Sequence, residues 1–363
     1  MSLDDKPGGT RTRLVRLAPE LAKRGHVVTV VHTAQLDRET RDAISPAVAL
    51  EVSPASGPGP ARRMAFQRIT YRRLIRDLAP DVVSAETWPM PNVPGLMPVV
   101  HDLRYLGLGL PLRTLFRRLL EGACQRAIRI HTVSTTVARE LLAVCPIAEA
   151  RTDIVPNGVP IPELGVLHAS PSPINSPYVL VVGHDEPRKD FSLAAELAPR
   201  LSNRGITIVR VGRGSSDRAS RGYRAGGAHV GSPRATTIDA NSVVTLGIVP
   251  DAVRDLLYHH ALAVLVPSRF EGFGLVPLEA LAAGGWVVAS RIGAHREILG
   301  DAASFFGPGN AAEAFELLVE AIDATQSERA RRASRGRAQA ARFSPQRAAE
   351  AFETSLREAQ ILA

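Results

Sequence analysis

The chain has 363 residues, which is long for one ordinary hydrophobic core and short for three, so its length predicts two domains. Apolar residues make up 45% and charged residues 22% of the chain, a composition that excludes a largely disordered protein. The formal net charge is +8, and the two cysteines, Cys124 and Cys145, lack CxxC or Cys/His spacing, which excludes a disulfide framework and an ordinary structural zinc site.

The N-terminal stretch MSLDDKPGG is acidic and then Gly-rich, without the basic start and apolar run of a signal peptide. The sequence also lacks an apolar run of about 18 residues, the length that predicts a transmembrane helix. We therefore expect a cytoplasmic protein, and we expect no nucleic-acid partner.

Short runs of Val and Ile alternate with helical patterns along the chain. The strand-like runs lie at 27–32, 81–86, 98–102, 128–134, 178–183, 206–212, 242–247, 261–268 and 286–290. Such runs, bounded by Gly, Pro or polar residues, are typical of buried parallel strands, and amphipathic helical patterns lie between them. This βαβ rhythm predicts an α/β fold of doubly wound, Rossmann-like units.

One Pro- and Ser-rich stretch, PIPELGVLHASPSPINSP at 160–177, interrupts this rhythm and predicts a linker. We therefore expect an N-terminal domain over 1–165 and a C-terminal domain over 166–345, facing each other across a cleft. The last residues, 346–363, have a helical pattern. The Gly/Arg-rich segment 212–241 is expected to be an insertion in the second domain.

The segment SRFEGFGLVPLEALAAGG at 268–285 places Glu271 and Glu279 between an apolar strand run and an Ala/Leu-rich helix pattern. The turn between strand and helix consists of Phe273, Gly274 and Leu275. Ligands of open α/β sheets bind at the carboxyl ends of strands, and a helix N-terminus attracts anions. We expect Glu279 in the first helical turn. The spacing alone fits a ligand site and equally fits two glutamates that favour a helix start.

A basic segment, GHDEPRKD at 183–190, follows another strand run and places Arg188 and Lys189 at the start of a helix. Fixed cations and N–H dipoles there could stabilise a negatively charged group. The alternative is a solvated basic helix start. Because Lys189 is one of three lysines in an arginine-rich chain, a specific role is favoured.

These motifs, taken in order, resemble those of glycosyltransferase family 4, whose members are retaining enzymes of the GT-B fold with an E-x7-E signature. Besides 268–285, the segments that carry the resemblance are KPGGTRTRLVRLAPELAKRGHVVTVV, VVHDLRYL, TVSTTVARELL, IVPNGV, VVGHDEPRKDFSLAAEL, LGIVPDAVRDLLYHHALAVLVPS and GDAASFF. The resemblance spans nearly the whole chain and implies a hexosyltransferase, with the C-terminal helix crossing back to the N-terminal domain.

The resemblance also implies where a nucleotide-diphosphate sugar would bind. The implied donor-binding residues are Gly9, His184, Arg188, Lys189, Val249, Glu271, Phe273, Gly274, Leu275 and Glu279. Lys189 and the N–H groups after Glu271 would hold the diphosphate, Glu279 the ribose, and Glu271 the transferred sugar, while the backbone at Val249 would flank the base.

Catalytic roles are implied for His101, Lys189 and Glu271. His101 would contact the transferred sugar or the acceptor hydroxyl, although a histidine after a strand is more often structural. No D-x-D pair occurs in the sequence, so we expect no metal and no other cofactor. Retention in this family is thought to need no protein nucleophile, and none is assigned.

The main departure from the family is at the N-terminus, where relatives have an apolar strand before the Gly8-Gly9 loop and this chain has MSLDDKP. Either translation starts upstream, or the N-terminal sheet lacks its middle strand. Trp286 stands where relatives have a small residue or Pro, and we expect it in the core. Gly293-Ala294-His295 replaces a Gly-Gly turn.

Two helices of the first domain are rich in arginine with apolar residues between them, at 61–79 and 112–127. Such helices can contact anionic membranes, although solvated faces are commoner. The acceptor could be a glycan, a lipid-linked saccharide or a natural product, and the EPRKD and HDLRY variants favour GDP-mannose as donor. The alternatives are a sugar-nucleotide epimerase, a phosphorylase, which the scarcity of lysines disfavours, or a catalytically silent binding protein.

Overall fold

A computed structural model describes residues 2–3, 8–32, 43–44, 48–52, 73–86, 88, 90–107, 109–212, 237–238 and 243–361. The chain divides into two compact units, one formed by Met1–Gly158 with Phe343–Ala363 and the other by Val159–Arg342. The first boundary precedes the expected one at 165, so the Pro- and Ser-rich stretch lies in the second unit.

The strands and helices follow one another in the alternating order that the sequence predicts. The strands are β1 (Ser2–Leu3), β2 (Val28–His32), β3 (Val48–Val52), β4 (Val83–Ala85), β5 (Leu96–Val100), β6 (Ile130–Thr132), β7 (Thr152–Ile154), β8 (Tyr178–Val182), β9 (Thr207–Val211), β10 (Thr237–Ile238), β11 (Val243–Thr245), β12 (Ala263–Val266), β13 (Val287–Ser290) and β14 (Ser304–Phe306). The helices are α1 (Gly9–Lys23), α2 (Leu110–Arg126), α3 (Thr135–Val144), α4 (Leu164–Ala169), α5 (Phe191–Ser202), α6 (Asp251–His260), α7 (Leu275–Ala282), α8 (Gly293–Leu299), α9 (Ala311–Asp323), α10 (Gln326–Ala341) and α11 (Pro345–Glu358). Short 3-10 turns lie at Arg104–Gly107, Pro146–Arg151, Pro187–Lys189 and Gly300–Ala302.

The first unit contains two parallel sheets, β1-β2-β3 and β4-β5-β6-β7. At the N-terminus, where the sequence departs from the family pattern, the structure has the two-residue strand β1, which pairs Ser2 with Val31 and Leu3 with His32. Among the described residues, no strand pairing joins β1 to β4, so the two sheets remain separate. A two-residue strand offers too few ladder hydrogen bonds to bridge them.

The helix α11 packs in the core of the first unit although it comes last in the chain. Its apolar face contributes Ala349, Phe352 and Leu356 to a cluster that also contains Leu17 and Leu21 of α1. Ser344 caps the helix by accepting a hydrogen bond from the backbone N–H of residue 347, as a serine at this position commonly does. These three residues of α11 are three and four positions apart, so they lie on one face of the helix.

The second unit is built on one seven-stranded sheet with the order β10-β11-β9-β8-β12-β13-β14. All neighbouring strands run parallel except β10, which pairs antiparallel with β11. The chain order reverses between β8 and β12, because β9 follows on one side and β13 on the other. In a doubly wound sheet this switch point opens a crevice at the carboxyl ends of the strands.

The structure corrects one expectation about the second unit and confirms another. The stretch 160–177 is not only a linker, since it contains α4 with the buried side chain of Leu167. Trp286 is 7% exposed and belongs to the core cluster around β8, β12 and β13, as expected.

The arginine-rich pattern at 61–79 lies outside the described residues except for a helical stretch at 73–78. The expected insertion at 212–241 also lies outside them, apart from Gly212 and β10. No helix in the described part of the chain combines the length and the hydropathy that a bilayer span requires.

Candidate active site

The loops that follow β8 and β12 leave the sheet at the same edge, on the two sides of the switch point. The strands are direct neighbours, with Ala263 opposite Val179 and Val264 opposite Leu180. The backbone N–H of Arg269 donates to the carbonyl of Arg188 at 2.7 Å, which joins the two loops. The topology thus brings together two segments that are some eighty positions apart in the sequence.

Glu271 connects two cations across this switch point. Its Oε1 lies 2.5 Å from Nζ of Lys189, and its Oε2 lies 2.7 Å from Nη1 of Arg188. The hydroxyl of Ser268 also donates to Oε1 at 2.9 Å. The side chains of Lys189 and Glu271 are 13% and 12% exposed, so this ion cluster lies at the edge of solvent.

The electrostatics of the cluster keep Glu271 ionised. Burial alone would raise the pKa of this carboxyl, but the charges of Lys189 and Arg188 and the hydrogen bond from Lys189 lower it to about 2. A carboxylate in this state is an acceptor only. It can therefore hold hydroxyl or ammonium donors but cannot supply a proton at neutral pH.

The backbone around Lys189 is shaped by two unusual positions. Asp190 adopts the left-handed region with φ +49°, and its carboxylate accepts from Nε of Arg269 at 2.8 Å and from the hydroxyl of Ser192 at 2.7 Å. Gly183 has φ +148°, and a Cβ there would lie 3.3 Å from the Phe191 ring and 3.7 Å from the stem of Lys189. The lysine stem thus packs closely on the glycine backbone.

At the turn before α7, the backbone and not the side chains lies at the candidate site. Phe273 is 4% exposed and its ring is part of the protein interior. Gly274 is the N-cap of α7 with φ +99°, and a Cβ there would lie 3.1 Å from Cδ2 of His295. Only the backbone of this turn and the half-buried Leu275 are therefore available to a ligand. The first N–H groups of a helix are a favourable place for an anion.

Glu279 lies in the second turn of α7, not in the first as the sequence analysis expected. The helix begins at Leu275, because Gly274 takes the left-handed cap conformation that ends the turn. The carboxylate of Glu279 faces α6, where Nε of Arg254 lies 3.6 Å away and the hydroxyl of Tyr258 donates at 3.4 Å. Burial would lower the pKa of Arg254, but the charge of Glu279 raises it above its ordinary value.

His184 and Val249 occupy loops at the same edge of the second unit. His184 follows Gly183 at the end of β8 and is half-buried, and Val249 precedes the N-cap of α6 and is also half-buried. The side chain of Arg254, one turn into α6, contacts both Glu279 and Asp251.

His101 and Gly9 belong to the first unit. His101 follows β5, and its Nε2 lies 2.7 Å from Oε2 of the buried Glu86, one residue beyond β4. Gly9 is exposed and opens α1, and Gly8 is the N-cap. In the described parts of both units, no group of three or more His, Cys, Asp or Glu residues has an arrangement that could hold a metal ion.

Sequence reasoning missed several residues that hold the predicted ones in place. These are Glu86, Arg254, Tyr258, Ser268 and His295. Arg254 and Tyr258 are four positions apart on one face of α6, a spacing that could have indicated a shared polar partner. The contacts of Glu86 and His295 depend on tertiary structure and leave no local signal.

Two family models match the chain along most of its length. The model described as Glycosyltransferase Family 4 matches residues 7–162, and the model described as Glycosyl transferases group 1 matches residues 168–339. The first match begins in the first unit and ends four residues past its boundary at Gly158, and the second match lies within the second unit.

Similar proteins include mannosyltransferases. A phosphatidyl-myo-inositol mannosyltransferase of Mycobacterium tuberculosis is 26% identical over 314 residues, which cover 82% of this chain and 78% of that protein. The O-antigen chain mannosyltransferase B of Escherichia coli is 31% identical over 176 residues, which cover 46% of this chain and 42% of that protein.

Solved structures share the fold at lower identity. WaaG, a glycosyltransferase involved in lipopolysaccharide biosynthesis, superposes with a TM-score of 0.70 at 18% identity, over 96% of this chain and 98% of that one. Anabaena HepE in complex with UDP-glucose superposes with a TM-score of 0.69 at 20% identity, over 97% and 98%.

Proposed function

This chain belongs to glycosyltransferase family 4, has the GT-B fold and is a glycosyltransferase, and from that premise we propose that its donor is a nucleotide-diphosphate sugar. The sugar passes to an acceptor hydroxyl with retention of its anomeric configuration. Neither a metal ion nor an organic cofactor takes part.

The observation that carries this proposal is the ion cluster of Glu271 with Lys189 and Arg188. A diphosphate that enters the switch point replaces the carboxylate as the partner of the two cations, which then offset the charge that grows on the leaving group. The N–H groups at the start of α7 support the same charge.

Glu271 changes partners in this scheme. Once the phosphates hold Lys189 and Arg188, the ionised carboxylate is available to accept hydrogen bonds from hydroxyls of the transferred sugar. The carboxyl is ionised while it holds the two cations, so it enters the exchange as an acceptor of hydrogen bonds. The hydroxyl of Ser268 keeps the side chain in place during the exchange.

Glu279 holds the ribose through its diol. Arg254 and Tyr258 fix the carboxylate from the side of α6, so that its remaining lone pairs can face the ligand. The backbone at Val249, in the loop before α6, flanks the base. His184, at the end of β8, is adjacent to the phosphates in this arrangement.

Retention proceeds without a protein nucleophile. The acceptor hydroxyl attacks the anomeric carbon from the face that the diphosphate leaves, the C–O bond to the phosphate breaks, and the departing phosphate oxygen takes the hydroxyl proton. His101 contacts the transferred sugar or the acceptor hydroxyl, and the exposed backbone at Gly9 approaches the donor. The proton therefore ends on the nucleoside diphosphate, and charge is conserved.

The sugar is most consistent with mannose, and the nucleotide with GDP. Two of the similar proteins are mannosyltransferases by name, and the EPRKD and HDLRY segments point the same way. The test is a thermal-shift titration of the purified protein with GDP and UDP, followed by transfer assays with GDP-mannose and UDP-glucose in the presence of a chelator. Ligand stabilisation grows with the ratio of concentration to Kd, so the better nucleotide raises Tm at lower concentration.

Each outcome of that test bears on a different part of the proposal. Stabilisation by neither nucleotide overturns the donor class. Stabilisation by UDP alone overturns GDP, and transfer that stops with chelator overturns metal independence. Donor epimerisation or hydrolysis without transfer to any hydroxyl acceptor would indicate the alternative activities on the same fold.

The helix α2 also supports peripheral contact with an anionic membrane. Leu112, Leu115 and Leu119 share one face at helical spacing and are 56%, 55% and 40% exposed. The exposed guanidinium of Arg118 lies beside that face. An apolar stripe flanked by positive charge matches the surface of a bilayer that contains anionic lipid.

Co-sedimentation with vesicles tests this contact. We expect binding to phosphatidylglycerol vesicles that falls with salt, little binding to phosphatidylcholine vesicles, and loss of binding in the Leu112→Ser, Leu115→Ser double variant. The matched control is Val166→Ser with Ile248→Ser, two exposed apolar residues of the second unit. Equal binding by wild type and the α2 variant would refute the contact.

A further inference from the structure

Glu86 is a buried carboxylate that the proposed chemistry does not use. Its side chain is 0% exposed, and its Oε2 accepts the hydrogen bond from Nε2 of His101 at 2.7 Å. Its Oε1 has no hydrogen-bond partner among the described residues and lies 3.5 Å from Nε of Arg13. Arg13 therefore offsets the charge of Glu86, while His101 is its hydrogen-bond donor.

Arg13 is itself held firmly. Its Nη1 donates to the carbonyls of Val155 and Pro156 at 3.0 and 2.9 Å and to Oδ1 of Asn157 at 3.2 Å. Because Arg13 is only 1% exposed, protein atoms surround its guanidinium and prevent it from rotating. The charge that faces Glu86 is thus built into the unit and does not depend on ligand.

This arrangement determines which nitrogen of the His101 ring carries a proton. Burial would raise the pKa of Glu86, but the charge of Arg13 and the hydrogen bond from His101 hold it below its ordinary value. An ionised carboxylate can only accept a hydrogen bond, so Nε2 of His101 carries a proton. The other ring nitrogen, Nδ1, is then the acceptor of the neutral ring.

The burial of the two side chains decides which nitrogen a ligand can reach. The side chain of His101 is 21% exposed and that of Glu86 is 0% exposed, so the ring reaches from the protein interior to its surface. Nε2 occupies the inner side, against Glu86. Nδ1 therefore lies on the ring edge away from the carboxylate, and in the described part of the chain no hydrogen bond engages it.

We propose that Glu86 is a positioning residue, which fixes His101 as the Nε2–H tautomer so that Nδ1 accepts a hydrogen bond from a hydroxyl of the sugar or the acceptor. The inference rests on the proposed function, since it assigns His101 a ligand. A ring without this partner would distribute its proton over both nitrogens and rotate about its side-chain bonds.

A buried ion pair alone does not explain Glu86. Replacing such a pair by apolar residues of similar volume is often neutral or stabilising, so stability by itself gives no reason for this carboxylate. A carboxylate that holds a functional histidine by one nitrogen and directs the other towards a ligand is a recurrent arrangement.

The test is a double-mutant cycle on transfer. Glu86→Gln is expected to lower kcat/KM roughly 10-fold to 100-fold, by analogy with the carboxylates that orient metal-binding histidines. In the His101→Ala background the same change is expected to have no further effect, because the group that it positions is gone. An equal effect in both backgrounds would show that Glu86 does not act through His101.

A matched control exists in the same unit. Glu353 is also buried and binds one arginine and one histidine, with Arg24 Nη2 at 2.8 Å and His26 Nε2 at 2.9 Å. Glu353→Gln should lower stability and leave kcat/KM unchanged. If it lowers transfer as much as Glu86→Gln does, the loss is a general effect of disturbing the unit, and the proposal fails.

The variant Glu86→Asp guards against misfolding. It keeps the charge that Arg13 needs and withdraws the carboxylate from Nε2, so a folded protein with reduced transfer is expected. Transfer at the wild-type rate by a folded Glu86→Asp or Glu86→Gln protein would overturn the proposal.

A spectroscopic measurement separates this inference from the proposed function. With 15N-labelled histidine, the ring signals of His101, identified by their absence in His101→Ala, should show one protonated and one bare nitrogen at pH 8. In Glu86→Gln they should move towards the average of the two tautomers. This holds even if no transfer activity is found, and unchanged ring shifts would refute the positioning role.

Discussion

The substitution Glu271→Gln tests whether this carboxylate competes with phosphate for the two cations. In the structure, Lys189 and Arg188 hold Glu271 at 2.5 and 2.7 Å. A nucleoside diphosphate must displace the carboxylate before it can bind them. The glutamine keeps the shape of the side chain and removes its charge, so the competition ends.

The size of the effect follows from the pKa of Glu271. Burial raises the pKa and the cations lower it, and the net result is a fall from the ordinary 4.5 to about 2. This gap of about 2.5 pH units, at about 1.4 kcal/mol per unit, gives a lower bound of about 3 kcal/mol on the attraction of the cations for the ionised carboxylate. By linkage, this is the interaction that a diphosphate must replace. Because Glu271 keeps part of it after moving, we expect GDP or UDP to bind Glu271→Gln about 3-fold to 30-fold more tightly, whereas kcat of transfer falls because the sugar loses an ionised acceptor.

Calorimetric titration of GDP and UDP at pH 7.5, beside transfer kinetics, measures both effects. Lys189→Met is the opposite control, because it removes one charge-assisted hydrogen bond worth about 1.5–3 kcal/mol and should weaken nucleotide binding roughly 10-fold to 150-fold. If Glu271→Gln weakens binding of the free nucleotide as much as Lys189→Met does, the carboxylate is not a competitor and the proposed exchange of partners is wrong.

Three further substitutions test the structure around the site. The hydrogen bond from Arg24 lowers the pKa of Glu353 to about 2, so the ionised carboxylate stabilises the fold above about pH 4.5, and this stabilisation is lost as pH falls towards 2. Urea unfolding of Glu353→Gln should therefore show lower stability at pH 7 and a weaker pH dependence across that window. Curves of stability against pH that run parallel for the two proteins would contradict this. Gly274→Ala should lower the free energy of unfolding by about 1–3 kcal/mol, because φ is +99° and the new Cβ would meet His295; an unchanged unfolding midpoint would argue against the strain. Asp190→Ala should be less stable than Asp190→Gly by about 1 kcal/mol, since both lose the ion pair with Arg269 but only glycine relieves the left-handed backbone; equal stabilities in the same assay would be inconsistent with that account.

The elements that carry the candidate site could be predicted from local sequence. The strand runs at 178–183 and 261–268 contain β8 and β12, and the residues after them, Lys189 and Glu271, lie at one sheet edge because parallel strands end there. Glu279 was expected in the first turn of α7 and lies in the second. The sequence does not reveal that Gly274 caps the helix, because a glycine can equally well extend a turn and the neighbouring His295 is known only from the structure.

The partners of the site residues could not be predicted in the same way. Glu86 meets Arg13 and His101 through three separate elements, and nothing in the run SAETWP distinguishes a buried glutamate from a surface one. Burial and pairing are properties of the packed unit. A sequence pattern reports the period of an element, but not which face of a neighbouring element supplies a countercharge.

Three of the carboxylates discussed above, one in the first unit and two in the second, have an arginine partner. Arg13 faces Glu86, Arg254 faces Glu279, and Arg188 shares Glu271 with Lys189. An isolated buried carboxyl would take up a proton and become a donor, and sugar hydroxyls would then lose their acceptors. Paired with an arginine, it stays an acceptor at neutral pH, which is what a ligand with many hydroxyl donors requires. The arginines therefore serve the recognition of a polyol as much as they serve stability.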